Sequence, residues 1–214
     1  KHYLGWIALF GFVEFGVPWF FMGAAEQHIS SSLTSLLVCT VPFLSLIYTK
    51  MTKTHEDIDK RRLIGLVIGA IGVIGLVGLD VRGGNLKWIA CMAVVCIGYT
   101  VGPSIMATKL PNVPGYVTVA GATSLVAIAW TPVAVTHWPH HLVSAAVVSI
   151  FILGAFCTAG AFLGLAEIVK EIGPNRTLVV TYVNTALAVV LGIALLHEPL
   201  TAGIMAGFPL VLIG

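Results

Sequence analysis

A polytopic, all-α membrane protein is what this sequence predicts, on three observations. Of its 214 residues, 58% are hydrophobic and 9% charged, with a mean hydropathy of +1.01, whereas an ordinary soluble domain is about 25% charged. The apolar residues gather into eight runs, at 4–25, 30–49, 63–80, 86–107, 115–138, 142–169, 175–197 and 200–214, most of them near the ~20 residues that cross a hydrocarbon core of about 30 Å. None alternates like a barrel strand, and an open strand edge in lipid would leave backbone groups without partners, so every run is expected to be helical.

The first run carries Glu14 at its middle and has no small-residue cleavage site before a soluble domain, so it is not a signal peptide. Its Pro18 cannot donate to the carbonyl four residues back, which is that of Glu14 itself. Pro42 in the second run, Pro103 in the fourth, Pro132 in the fifth and Pro209 in the eighth are further kink or hinge candidates. In the third run Gly65, Gly69 and Gly72 share one smooth helical face, and Gly160 with Gly164 in the sixth repeats the small-xxx-small pattern of close helix packing. Cys39, Cys91, Cys96 and Cys157 all fall inside runs, so buried thiols are expected, and their spacing suggests neither a disulfide framework nor zinc.

If the chain crosses at every run, Lys1, Lys50, Lys53, Lys60, Arg61, Arg62, Lys109, Lys170 and Arg176 share one side, against Arg82 and Lys87 on the other. The positive-inside rule then makes the N-terminus of this chain and the 50–62 loop cytoplasmic. A net charge of +2 without a clustered basic face gives no reason to expect nucleic acid.

The halves also repeat. "FMGAAE" at 21–26 resembles "FLGLAE" at 162–167, and His55, Glu56, Gly65 and Gly72 match His197, Glu198, Gly207 and Gly214 at an offset of one residue more. Five spans separate the first helix from the sixth, so equivalent helices cross in opposite directions. Inverted repeats with sites near the midplane are the architecture of secondary transporters.

The pieces "LGAFCTAGAF" from 153, "EIGPNR" from 171, "TYVNTALAVVLG" from 181, "HEPLTAGIMAGFPLVLIG" from 197 and "AEQHISSSLTSLL" from 25, with Pro42 and the 56–72 block, carry a resemblance to the drug/metabolite transporter superfamily, specifically its EamA-type permeases. The resemblance implies ten helices in two inverted halves. Here that places the remainder of the first repeat at 1–80 and the second at 86–214, with two helices expected before Lys1, eight helices present and the last clipped. It also implies a metabolite exporter of the bacterial-type inner membrane, handling amino acids or related compounds. Where the family usually has Asn-Pro, this chain has Asn184-Thr185, which puts a helix break there in doubt.

An ionised acid at bilayer depth is costly, so Glu14 should face protein or a water-filled cavity. It is read either as a proton-coupling or substrate-cation site or as a protonated acid bonded to a neighbouring helix. Tyr99, Trp130, Tyr182 and Asn184 are the other candidates to line a substrate path. Glu26 and Glu167 end equivalent helices, as hydrated rim acids or as a gate or cap. The "THWPHH" cluster, with His137, His140 and His141, reads as an interfacial loop around Pro139 rather than a metal site. In "LLHEPL", Thr201 stands where a zinc-protease helix needs its second histidine. Pro199 is instead expected to open the final helix, with Glu198 at that helix's positive end. No cofactor or metal is expected. The expected partners are a small-molecule substrate and membrane lipids, and a homodimer stays open. The readings from other classes are an intramembrane enzyme acting on lipid-linked substrates and a non-transporting sensor or assembly subunit.

Overall fold

The computed structural model describes residues 2–52, 64–65, 67–69, 71–72, 86–138, 143–162, 164, 168, 179–199 and 201–213, and the structural statements below concern these. All their regular structure is helical, as the composition predicts. Four helical stretches are long and apolar enough to cross a membrane: Tyr3–Ala25, Ser31–Met51, Leu86–Lys109 and Gly115–Thr136. Ser144–Gly160 and Val183–Leu196 are shorter apolar helices. Most of the third run, and with it the His55–Glu56 loop, lies outside the described residues, as do Glu167, Pro139, His140 and His141.

The chain forms two compact units, Lys1–Gly16 with Ile105–Leu178, and Val17–Ser104 with Val179–Gly214. In the first, α1 (His2–Gly11) runs into a π-helical turn, Phe12–Gly16, and α1 packs on the helix Gly115–Thr136. Gly11 makes this possible, since a Cβ there would lie 2.9 Å from the Ala122 carbonyl oxygen and 3.0 Å from its Cβ. Without a hydrophobic force between helices in lipid, such small-residue approaches are what let helices associate. Phe15, 1% exposed, sits edge-on to Phe10 and to Phe162, both at 5.5 Å. Around it gather Ile7, Leu110 and Ala122, with Ile105 and Met106 against them.

The second unit contains α2 (Val17–Ala25), α3 (Ser31–Val38), α4 (Val41–Met51), the larger part of α5 (Leu86–Lys109) and, after α6 (Gly115–Thr136) and α7 (Ser144–Ile152) of the first unit, α8 (Val179–Leu196) and α9 (Ala202–Ile213). Its core joins Ala25, Leu33, Leu36, Leu37, Met92, Val95, Val189 and Ile204. The second run is not one helix. It breaks at Cys39–Thr40, and Pro42 sits in the first turn of α4, where its missing N–H costs little. The Leu37 carbonyl at the break accepts from Thr40 N–H at 3.0 Å, Thr40 Oγ at 2.7 Å and the Cys96 thiol at 3.4 Å. Pro103, Pro132 and Pro209 stay inside continuous helices.

Contacts fix the helix directions within each unit. Ile7 meets Gly121, Gly11 meets Ala122 and Gly16 meets Val126, so α1 and α6 are parallel. His28 meets Trp88 and Leu37 meets Cys96, so α3 and α5 are parallel, while Ser32 beside Gly192 and Cys39 on Thr185 make α8 antiparallel to α3. A chain that crosses at every apolar run has these directions.

Two expectations are corrected. Pro199 does not open the last helix: α9 starts at Ala202, and Thr201 Oγ caps it by accepting from Ile204 N–H at 3.1 Å. Nor are all four cysteines covered, because Cys39 and Cys96 are buried, Cys91 is half-buried and Cys157 is exposed on the outside of an apolar helix. A thiol is apolar enough to face lipid, so position within a run does not decide burial.

Candidate functional site

Glu14 occupies the middle of the π-turn Phe12–Gly16, four residues before Pro18. Pro18 has no N–H for the Glu14 carbonyl, and the widened turn falls where the α-helical ladder would fail. Glu14 Oε2 is buried and has no hydrogen-bond partner among the described residues. Thr118 Oγ, in the same unit, and Thr34 Oγ, in the other, are likewise covered and unpartnered. An open carboxylate oxygen inside a membrane span demands a proton, a cation or water.

Of the other candidates, Trp130 is half-buried in the unit of Glu14, while Tyr99, Tyr182 and Asn184 belong to the second unit. Tyr99 packs against that unit's core and Asn184 is exposed on α8. The side chain of Tyr182 lies outside the described residues. Thr185, 1% exposed, turns inward, accepts the Cys39 thiol at 2.9 Å and donates to the Ser35 carbonyl at 3.4 Å. The helix passes this position unbroken: the threonine that replaces the family proline ties α8 to α3.

The glycines of the two small-residue patterns are placed differently from one another. Gly69 and Gly72 are buried, Gly65 is half-buried, and Phe43 lies 3.5 Å from a Cβ at Gly69. Gly160 and Gly164 are exposed, with open space beside Gly164.

A second polar cluster, which sequence reasoning missed, lies at the rim of the second unit. Glu198 does not serve the helix that follows it. Its Oε1 accepts from Ser31 N–H at 2.8 Å and Ser31 Oγ at 2.6 Å, and its Oε2 from Ser32 N–H at 3.1 Å and Ser32 Oγ at 2.5 Å. Ser30 Oγ takes Leu33 N–H at 3.1 Å, and Thr34 N–H reaches the Ser30 carbonyl at 3.0 Å, so the first donors of α3 are all satisfied. The chain reaches this position because His197 adopts a left-handed φ of 54°, turning Glu198 N–H back onto the Gly192 carbonyl at 3.1 Å. Burial alone would raise the Glu198 carboxyl, but the four donors from Ser31 and Ser32 outweigh it and hold it below the ordinary carboxylate range. Glu26 is held above that range, first by burial and then by the charge of Glu198. Nearby in sequence, the His28 ring stacks on Trp88 at 3.8 Å, and Lys87 Nζ lies 4.6 Å from the same ring's centroid. The three serines in "HISSSL" were the available signal, since a serine run opening an apolar helix marks a cap.

Among the described residues no three His, Cys, Asp or Glu side chains come together to hold a metal ion. His137 bonds locally, its Nδ1 3.1 Å from the Val133 carbonyl and 3.0 Å from Thr136 Oγ.

The EamA-like transporter family profile matches residues 1–78 and 86–214. The chain belongs to the EamA-like transporter family. Within the curated proteins, an uncharacterized transporter of Archaeoglobus fulgidus is 26% identical over 199 residues, covering 91% of this chain and 70% of that protein. No solved structure matches the chain. EamA membership and the apolar spans make it a multi-pass integral membrane protein of transporter type.

Proposed function

We propose that this EamA-family chain is part of a secondary transporter that exports small polar or amphipathic metabolites, amino acids or related compounds, driven by proton exchange at Glu14. The open, buried Oε2 of Glu14 in a π-turn at the middle of a span carries the reading. The acid takes a proton on one side of the membrane and loses it on the other, so that protonation and substrate binding exclude each other as the path opens alternately to the two faces. Trp130, Tyr99, Tyr182 and Asn184 are the further residues we propose to offer aromatic faces and hydrogen-bond donors to the solute. The repeats at 1–80 and 86–214 supply the inverted symmetry, and nine basic residues against two set the N-terminus of this chain and the 50–62 loop on the cytoplasmic side of the inner membrane.

The test is solute efflux from proteoliposomes carrying the full-length protein, with an amino-acid panel and an imposed pH gradient. Efflux that follows the gradient in the parent and loses its pH dependence in Glu14→Gln is expected. Unchanged, pH-responsive transport in that variant would sink the coupling role, and no efflux of any solute would sink the exporter.

A further inference from the structure

The sequence repeat pairs the helix of the first apolar run with that of the sixth, since the match of 21–26 with 162–167 sets an offset of 141 residues. The backbone keeps this register. One π-turn opens at Phe12, and the π-helical stretch Leu153–Gly160 opens at the equivalent residue, Leu153. Their surroundings differ. Ile7, Phe10 and Phe15 are 8%, 2% and 1% exposed, whereas the equivalent Val148, Phe151 and Phe156 are 55%, 67% and 67% exposed. Gly16 is buried, and its equivalent, Cys157, is exposed.

The first helix is covered by α6. Ala122 lies against Gly11 and Val126 against Gly16, the two helices running parallel within one unit. Shifted by the same offset, the equivalent of Gly115–Thr136 falls upstream of Lys1, from about 27 to about 6 residues before it. That is the place of the second of the two helices expected there. The family profile matches 86–214 in one repeat but only 1–78 in the other, a shortfall of about two spans. Nearly a third of the Archaeoglobus fulgidus relative lies outside its match as well. In lipid an uncovered apolar face costs little, so exposure alone selects no occupant. Repeat equivalence selects one.

We infer that the side of Ser144–Gly160 carrying Val148, Phe151, Phe156 and Cys157 is the docking surface of the transmembrane helix directly upstream of Lys1 in the full-length protein, packed parallel to it as α6 packs on α1. This helix closes over the second π-helical stretch as α6 closes over the turn that holds Glu14. Ile152 stands where the first repeat has Gly11, so the two axes lie further apart than those of α1 and α6.

The test uses the full-length protein in liposomes. Single cysteines placed in turn along the upstream helix are oxidised with iodine, and disulfides to the native Cys157 are identified in non-reduced peptides by mass spectrometry. Yield should peak about 16 residues before Lys1, the equivalent of Val126, recur one turn away and fall about tenfold on the opposite face. C157S should abolish every such bond. Pairing of Cys157 with Cys157 of a second copy would overturn the docking, by making another copy the occupant. An intact, reduced Cys157 that pairs with no upstream position would overturn it by leaving the face to lipid. Yields without a helical period, or a full-length protein with no apolar span in that stretch, would also overturn it. Efflux is not part of the readout, so a protein that exports nothing can keep the docked helix.

Discussion

Replacing Gly192 with alanine sets two effects of opposite sign against each other. Gly192 lies inside α8, where alanine is favoured over glycine by about 1 kcal/mol. Yet a Cβ there would lie 2.6 Å from Ser32 Oγ and 2.7 Å from Glu198 Oε2. Free side-chain ends would swing away, but these are held: Oε2 by both donors of Ser32, and Oε1 by both donors of Ser31 at 2.8 and 2.6 Å. The methyl group therefore breaks the Ser32 half of the clasp. Two hydrogen bonds to a charged acceptor are at stake, at about 1.5–3 kcal/mol each, reduced where water reaches this half-buried rim. A net loss of about 1–3 kcal/mol is expected for G192A in the parent. In an E198A/S32A background the obstruction is gone, and the same substitution should stabilise by up to about 1 kcal/mol. Chemical unfolding of the purified full-length protein in detergent micelles, followed by far-ultraviolet circular dichroism, measures both. An equal loss in the two backgrounds, or no loss in the parent, would refute the clasp as the reason for glycine at this position.

The rim carboxylates should give opposite pH responses. Glu198 lies below its unfolded value of about 4.3, so its contribution is complete above that value and is lost as pH falls through the lower folded value; E198Q should abolish this acid-side loss in unfolding titrations. Glu26 lies above its unfolded value, so stability declines as pH rises through the window between the two; E26Q should exceed the parent at neutral pH and match it near pH 4. Thr185→Val should cost about 1 kcal/mol by removing the acceptor of the Cys39 thiol, and Thr185→Pro about 3 kcal/mol or more by breaking α8 as well; a thermal-shift ranking with Pro milder than Val would contradict this. Gly11→Ala should destabilise by about 1–3 kcal/mol because backbone atoms of Ala122 cannot give way, whereas Gly23→Ala, which meets nothing within 4 Å, should be neutral or slightly stabilising in the same assay.

Much of the candidate site was legible as single residues and little of it as relations. Glu14 stands out because an acid in an apolar run has few tolerable environments, and Pro18 announces a disturbed helix beside it; that the disturbance is a π-turn required the backbone. Glu198 shows the opposite case. Its neighbour Pro199 suggested service to the following helix, and only the left-handed turn at His197 sends the carboxylate to serines 167 and 166 positions earlier in the chain. Thr185 reads in sequence as a departure from a family proline, and the fold gives it a cross-helix contact instead.

The sequence by itself determined that the chain is helical and crosses a membrane several times. Lipid offers backbone groups no partners, so a run of about 20 apolar residues has one regular answer. It also determined the family, through short segments kept in order. Tertiary structure decided which glycines are close approaches, where the second run breaks, which cysteines are covered and how the two halves are shared between two cores. Those outcomes depend on which faces of different helices meet. In a chain this apolar, hydrophobic pattern marks no face as inward, so packing and a few polar ties had to choose.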